Sequence, residues 1–263
     1  MSKTRTPIRP PLKWAGGKRW LIPKLTRYWS KHTQARLVEP FCGGLSVALG
    51  LQPHAALLND VNPALINFYQ QIKNGLQMNI ALHNDEELYY QHRADFNLLN
   101  TKGHSPDKTA QLFYYLNRTG YNGLCRFNKS GGYNVPFGRY KTINYQEDFE
   151  EFKTAVSDWD FTNKDFSELA LKSDDFIYAD PPYDVPFRQY AQQGFDWDDQ
   201  VRLVEWLIKH DGPVVLSNQA TPRIKELYRD LGFRLRYVDA PRRISCKGNK
   251  RQAVKEVIAL RGV

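Results

Sequence analysis

Two kinds of hydrophobic spacing alternate along the chain. Unbroken apolar, β-branched runs at ARLVEPF (35–41), HAALLND (54–60), DFIYAD (175–180) and PVVLSN (213–218) predict strands buried in a sheet. FRLRYVD (233–239) and VKEVIAL (254–260) read as two further strands, antiparallel neighbours joined by a basic loop over 240–253. Helical spacing fills the intervals. Asn62 and Pro63 supply an N-cap and a pre-set first helical residue for ALINFYQQIKNG, which stops at Gly75. Asp198 is expected to cap a helix with Val201, Val204, Leu207 and Ile208 on one face, and Thr221 with Pro222 to open another that closes at Gly232. Strand and helix in alternation predict an α/β sheet.

That rhythm is lost between about residues 63 and 148, where helical patterns such as KTAQLFYYLNR (108–118) give way to a Gly- and Asn-rich aromatic stretch. The expected organisation is one domain from 1–62 and 148–263, with residues 63–147 inserted as a second. The insertion leaves from the end of the second predicted strand, where α/β folds place their ligand-binding loops. There is no internal repeat or low-complexity tract. With 41% hydrophobic and 25% charged residues among 263, wholesale disorder and fibrous architectures are excluded. No apolar run approaches the ~18 residues of a membrane span, and the basic, proline-rich start lacks the apolar stretch of a secretory signal, so a cytoplasmic protein is expected. Cys42, Cys125 and Cys246 form no CxxC pair, and the histidines form no HExxH or HxE constellation; no disulfide framework and no metal site is expected.

Charge sharpens the picture through its distribution. Residues 1–38 hold ten cations and no acid, residues 108–146 six and none, and residues 234–255 eight and one, whereas residues 147–233 hold nineteen acids and nine cations. Three acid-poor segments within a net charge of +9 point to one basic face that neutralises phosphates.

Four motifs could carry chemistry. In VEPFCGGLSVALGL (38–51) a strand enters a glycine turn and then a short helix, a geometry that lets backbone approach a ligand. Asp60, seventeen residues beyond Gly43, falls about where a carboxylate accepts from ribose hydroxyls. Neither GxGxxG nor GxxxxGK[ST] is present, which disfavours nicotinamide cofactors and nucleoside triphosphates. Asp180-Pro181-Pro182-Tyr183 ends a buried strand. An Asp there projects into the crevice, and with a carbonyl that the prolines leave without local donors it can accept both hydrogens of an exocyclic amine, while Tyr183 offers a stacking face for an extruded adenine. Residues 116–141 interleave Arg118, Arg126, Lys129, Arg139 and Lys141 with five aromatics around a hairpin turn expected at Gly131-Gly132, a pattern suited to nucleic-acid contact. LKWAGGKRW (12–20) sets Trp14 and Lys18 around a glycine pair.

In this order KWAGGK, VEPFCGG, the ND at 59–60, NRTGYNGLCRFN, NVPFGRYK, DPPY and RRISCKG resemble the Dam-type (D12 class, alpha group) DNA adenine-N6 methyltransferases, from Leu12 to about Leu260. The resemblance implies a Rossmann-like seven-stranded sheet that binds S-adenosyl-L-methionine, with an inserted, mostly helical target-recognition domain carrying a β-hairpin. It implies catalytic roles for Asp180, Pro181, Pro182 and Tyr183. Donor contacts would fall to Trp14, Ala15, Gly16, Lys18, Glu39, Pro40, Phe41, Gly43, Asp60 and Asp180, and DNA contacts to Lys13, Arg118, Asn122, Arg126, Asn128 and Arg139. Double-stranded DNA is the implied partner, GATC the leading target, and the protein a bacterial or phage-encoded monomer with no metal and no obligate protein partner. Thr119 stands where NRxGYNG often holds an aromatic, and Cys42-Gly43-Gly44 is an unusual glycine loop. Competing readings are methyl transfer to another exocyclic or amide nitrogen, and a DNA-binding module of the same fold without catalysis.

Overall fold

The computed structural model describes residues 8–103, 105–184, 194–241 and 254–263. In chain order its elements are α1 (Ile22–Trp29), β1 (Leu37–Glu39), α2 (Ser46–Leu51), β2 (Ala56–Asn59), α3 (Pro63–Lys73), α4 (Glu86–Lys102), α5 (Pro106–Thr119), α6 (Glu150–Ala155), β3 (Trp159–Thr162), β4 (Phe176–Ala179), α7 (Trp197–Leu207), β5 (Val214–Gln219), α8 (Pro222–Asp230), β6 (Arg234–Ala240) and β7 (Val254–Arg261). Seven strands form one sheet in the order β3-β2-β1-β4-β5-β7-β6, parallel except for β7, which runs antiparallel to both neighbours. This is the Rossmann-like α/β sheet that the resemblance implies, and the expected β6–β7 pairing is part of it.

Alternation along each strand builds two layers. Leu37, Ala56, Leu58, Phe176, Tyr178 and Val215 face one core with α1, α3 and α5, and that core continues without a break into α4. Val38, Leu57, Ile177, Ala179, Val214 and Leu216 face the other, against Leu203 and Val204 of α7 and Ile224 and Tyr228 of α8. The chain order reverses between β1 and β4, so the crevice at their carboxyl ends is the switch point where open α/β sheets bind ligands.

Several local expectations hold. The Asn62 side chain accepts from the amides of Ala64 and Leu65, Thr221 caps α8 by accepting from Ile224, and Gly75 and Gly232 terminate their helices at positive φ. Others shift. Asp196, not Asp198, caps α7, in a reciprocal box with Asp199, because its side chain reaches the N3 amide. The buried face of α7 accordingly carries Gln200, Leu203, Val204 and Leu207; Val201 is half-buried and Ile208 lies at the C-cap. The edge strand β3 lacks a predicted counterpart. Its sequence, WDFT, alternates buried and exposed and is too short to stand out.

Candidate active site and nucleic-acid interface

The crevice begins with Asp180, the first residue beyond β4. One carboxylate oxygen accepts from Ser217 Oγ of β5 at 2.8 Å, and the other pairs with Lys18 Nζ at 3.0 Å. Tyr178 backs this arrangement through its hydroxyl, 2.9 Å from Ser217 Oγ. Lys18 is itself buried, bonds the Gly16 carbonyl at 3.1 Å, and lies 4.6 Å from the centroid of the Tyr183 ring. The KWAGGK and DPPY motifs, 162 residues apart, are thus one cluster. The two prolines differ in use. The Pro182 carbonyl accepts from Gln200 Nε2 at 2.7 Å, so the expectation of donor-free carbonyls fails there; among the described residues none donates to Pro181. Tyr183 presents a partly exposed ring while its hydroxyl is buried.

The glycine loop solves a different problem from the one expected of it. A Cβ on Gly43 would lie 2.6 Å from Trp14 Nε1, and one on Gly44 2.6 Å from Trp14 Cβ. These glycines let the indole close onto the loop, and Leu45 then adopts φ +58 before α2 begins. Asp60 holds the same loop. Its oxygens accept from the Gly43 amide at 3.1 Å and the Asn62 amide at 2.9 Å, and burial raises its carboxyl above the ordinary range against those two bonds. Asn59 is fully buried and ties three strand ends together. It donates to the carbonyls of Pro40 and Lys164 and accepts from Thr162 Oγ1 and the Lys164 amide.

Beside these residues opens a cavity of about 530 Å³, lined among others by Phe41, Val61, Asp165, Phe166, Pro182 and Phe195. Its place beyond the carboxyl ends of β1, β2, β3 and β4 and its apolar walls suit a nucleoside-sized ligand. Arg202 forks onto Asp165 at 2.6 and 2.9 Å and lies over the Phe166 ring, holding the Asp165 carboxyl well below its usual range. Asp165, Phe166 and Phe195 escaped the sequence reading. The available signal was the NKDF turn following WDFT, legible only once WDFT is known to be a strand. Glu39 is buried at the end of β1, with burial driving its carboxyl well above the usual range and one oxygen unmatched by any described group. Ala15 and Gly16 are exposed at the mouth. A nucleoside-sized cavity with aromatic walls and the orphan buried oxygen of Glu39 fit an adenosyl donor with an amino-acid tail.

Among the basic residues expected at the DNA, Lys13 is half-buried and tied in by several contacts. Its backbone exchanges hydrogen bonds with the Asn117 side chain, its Nζ donates to the Arg118 carbonyl at 2.8 Å, and the ammonium lies 3.8 Å from the Tyr140 centroid. Burial, then Arg118, lowers its pKa to about 8. Two of the three acid-poor segments are thereby in contact; residues 242–253, including RRISCKG and Cys246, lie outside the described residues. Arg126 reaches across a two-stranded ribbon to Asn134 at 2.7 Å, and the ribbon turns at residues 128–131 with Gly131 at φ +82. Asn128 holds that turn, its oxygen accepting from the amides of Ser130 and Gly132. Arg118 donates to the Asn144 carbonyl, Arg139 pairs with Glu86 at the surface, and Asn122 is exposed next to Tyr121. Lys13, Arg118 and Asn122 gather near one end of α5, Arg126 and Asn128 lie farther along the ribbon, and Arg139 follows the Gly120–Phe137 bridge and pairs with Glu86. Thr119 is buried and bonds the Tyr145 hydroxyl at 2.8 Å, so the missing aromatic concerns packing beneath this surface.

The profile of the D12 class N6 adenine-specific DNA methyltransferases matches residues 14–244. The DNA adenine methylase of Vibrio cholerae is 39% identical over 271 residues, covering 95% of this chain and 94% of that protein. The Retron Ec67 DNA adenine methylase of Escherichia coli is 36% identical, covering 95% and 90%. The Type II methyltransferase M1.LlaDCHI of Lactococcus lactis subsp. cremoris is 33% identical, covering 98% and 97%.

Proposed function

The chain belongs to the D12 class of N6 adenine-specific DNA methyltransferases, and from that premise we propose that it methylates a flipped-out adenine within one short duplex sequence, GATC, using the crevice around Asp180. The methyl donor is S-adenosyl-L-methionine. The observation that carries the reading is the juxtaposition at the crevice: Asp180 held by Lys18 and Ser217, beside a partly exposed tyrosine ring and a nucleoside-sized cavity.

An exocyclic adenine amine is a poor nucleophile because its lone pair is delocalised into the ring. When bound, the donor supplies an electrophilic sulfonium methyl. The chain's own contribution is to hold the amine. Asp180 and the Pro181 carbonyl accept its two hydrogens, which localises the lone pair on nitrogen, and Asp180 receives the proton the methylated nitrogen sheds. Gln200 fixes the Pro182 carbonyl and so the loop that presents both acceptors. Tyr183 carries the extruded base on its open face. Phe41, Gly43, Glu39, Pro40, Trp14, Ala15, Gly16 and Lys18 line the donor's side with Asp60, and the Phe41–Phe166–Phe195 cavity takes its adenosyl end. Lys13, Arg118, Asn122, Arg126, Asn128 and Arg139 form the duplex-facing surface, with residues 63–147 as the recognition unit. The tied Asn128 and Arg126 present the ribbon as a rigid body. This division of the chain is supported by the acid-poor composition of 108–146.

Sequencing of modified positions in unmethylated genomic DNA treated with the protein tests the target. Methylation confined to the adenine of GATC is expected. Modification at another motif would overturn the target assignment and leave the chemistry in place.

A further inference from the structure

Tyr183 poses a mechanical problem. It follows two prolines in a loop beyond β4, its ring is partly exposed, and such a ring turns about two side-chain bonds unless its far end is held. Lys18 lies over the face of the ring and not at its far end. The hydroxyl is the remaining handle, and it is buried against the carboxyl of Glu256. Both this hydroxyl and Glu256 Oε2 are buried without a hydrogen-bond partner among the described residues, two unsatisfied polar atoms side by side.

We propose that Glu256 is a positioning residue for the reaction: its carboxyl receives the Tyr183 hydroxyl and so fixes the plane of the ring on which the extruded base stacks. This rests on the reading that Tyr183 carries the base.

The sheet makes the anchor stiff. Glu256 lies within β7, opposite Gln219 of β5 on one side and Val238 of β6 on the other, and is only 6% exposed. Along β7, Ile258 and Leu260 face the core shared with Tyr178, while Val257 and Ala259 face the opposite one, so Glu256 interrupts an inward apolar stripe. By the same alternation Glu39, Asp180 and Ser217 point to that face from β1, β4 and β5. Four polar residues therefore cross four adjoining strands of an otherwise apolar layer. A carboxyl buried there is costly unless it is used. Ser217 is committed to Asp180, and Glu39 accepts from the Ala48 amide. Glu256 Oε2 is left without a partner among the described residues, with the unpartnered Tyr183 hydroxyl and the Lys18 charge nearby.

Steady-state kinetics on Glu256→Ala, Glu256→Gln, Tyr183→Phe and the Glu256→Ala/Tyr183→Phe double variant test this, on a duplex that the wild-type protein methylates. Each Ala or Phe variant is expected to lower kcat by about tenfold, within the range of coupled neighbours, with the double variant no worse than either. KM for the donor stays within about twofold, and Gln, whose amide oxygen also accepts from a phenol, recovers most of the rate. Losses that multiply in the double variant, or a Gln variant as slow as Ala, would overturn the proposal. If Glu256→Ala does not fold, a Tyr183→Phe protein turning over at the wild-type rate overturns it equally, and a slow Tyr183→Phe beside a fast Gln supports it. A wild-type protein that methylates no duplex is a separate result: it removes the functional reading before any variant is compared.

Discussion

Lys13 links one side chain's environment to a measurable pH response. Its ordinary pKa of 10.5 is lowered to about 8, by burial first and by Arg118 second. The ammonium is charged below about 8 and is neutralised as pH rises through it, whereas the unfolded chain keeps that charge up to 10.5. Duplex affinity should therefore weaken between pH 7 and 9, while the folding penalty of the buried charge is relieved as pH rises from about 8 towards 10.5. Equilibrium binding at the two pH values checks this; Lys13→Arg, which stays charged, should flatten the response, and an equally steep profile in that variant would count against Lys13 as the source. Thr119 offers a second test. Thr119→Val removes the bond to Tyr145 and should cost about 1 kcal/mol in urea denaturation, with the methylated sequence unchanged. At this scale the sequence singled out Asp180, Tyr183 and Lys18, which the fold brings into one cluster, because motif order survives without geometry. It did not disclose that Lys18 and Asp180 touch, since 162 residues separate them. Nor did it disclose that Asn128 caps its own turn, since an Asn that reads a base and one that holds a loop look alike in a string of letters.

Among the elements, the loops after β1, β2 and β3 behave as one unit because Asn59 bonds all three strand ends. Asn59→Leu strands those donors and acceptors in a buried site and should lower stability by about 3 kcal/mol, read by chemical denaturation. The glycine loop predicts a functional loss instead. A Cβ on Gly44 meets Trp14 Cβ at 2.6 Å, so Gly44→Ala should push the indole out and weaken donor binding measured by calorimetry, with a smaller effect on the melting temperature. Unchanged donor affinity would show that the indole has no part in the cofactor site. Caps and stops at Asn62, Gly75, Thr221 and Gly232 were legible because each rests on local chemistry. The cap of α7 was missed by two residues because three of the residues at 196–199 are acids, and geometry chooses among them. β3 was invisible because four residues of mixed polarity acquire their strand character from β2.

For the whole molecule, a net charge of +9 and acid-poor segments joined through Lys13 and Arg118 imply a binding surface dominated by phosphates. The logarithm of duplex affinity should fall linearly with the logarithm of salt concentration, by a slope of about 0.9 per phosphate engaged. Lys13→Met should reduce that slope by about 1 at pH 7. The doubly wound architecture was legible from alternation of strand and helix, since six of seven strands were predicted, four of them as unbroken apolar runs. The strand order was not, because it depends on crossovers that composition does not encode.

Everything at the crevice turns on Asp180 activating an adenine amine in duplex DNA, as proposed above. Transfer of labelled methyl from S-adenosyl-L-methionine to unmethylated DNA, by the wild-type protein and by Asp180→Ala side by side, with nucleoside analysis and a duplex-binding measurement for each, tests it most directly. N6-methyladenine is expected as the only labelled nucleoside with the wild type, and none with Asp180→Ala although it still binds the duplex. Sustained turnover by Asp180→Ala, or label on another base, would contradict it.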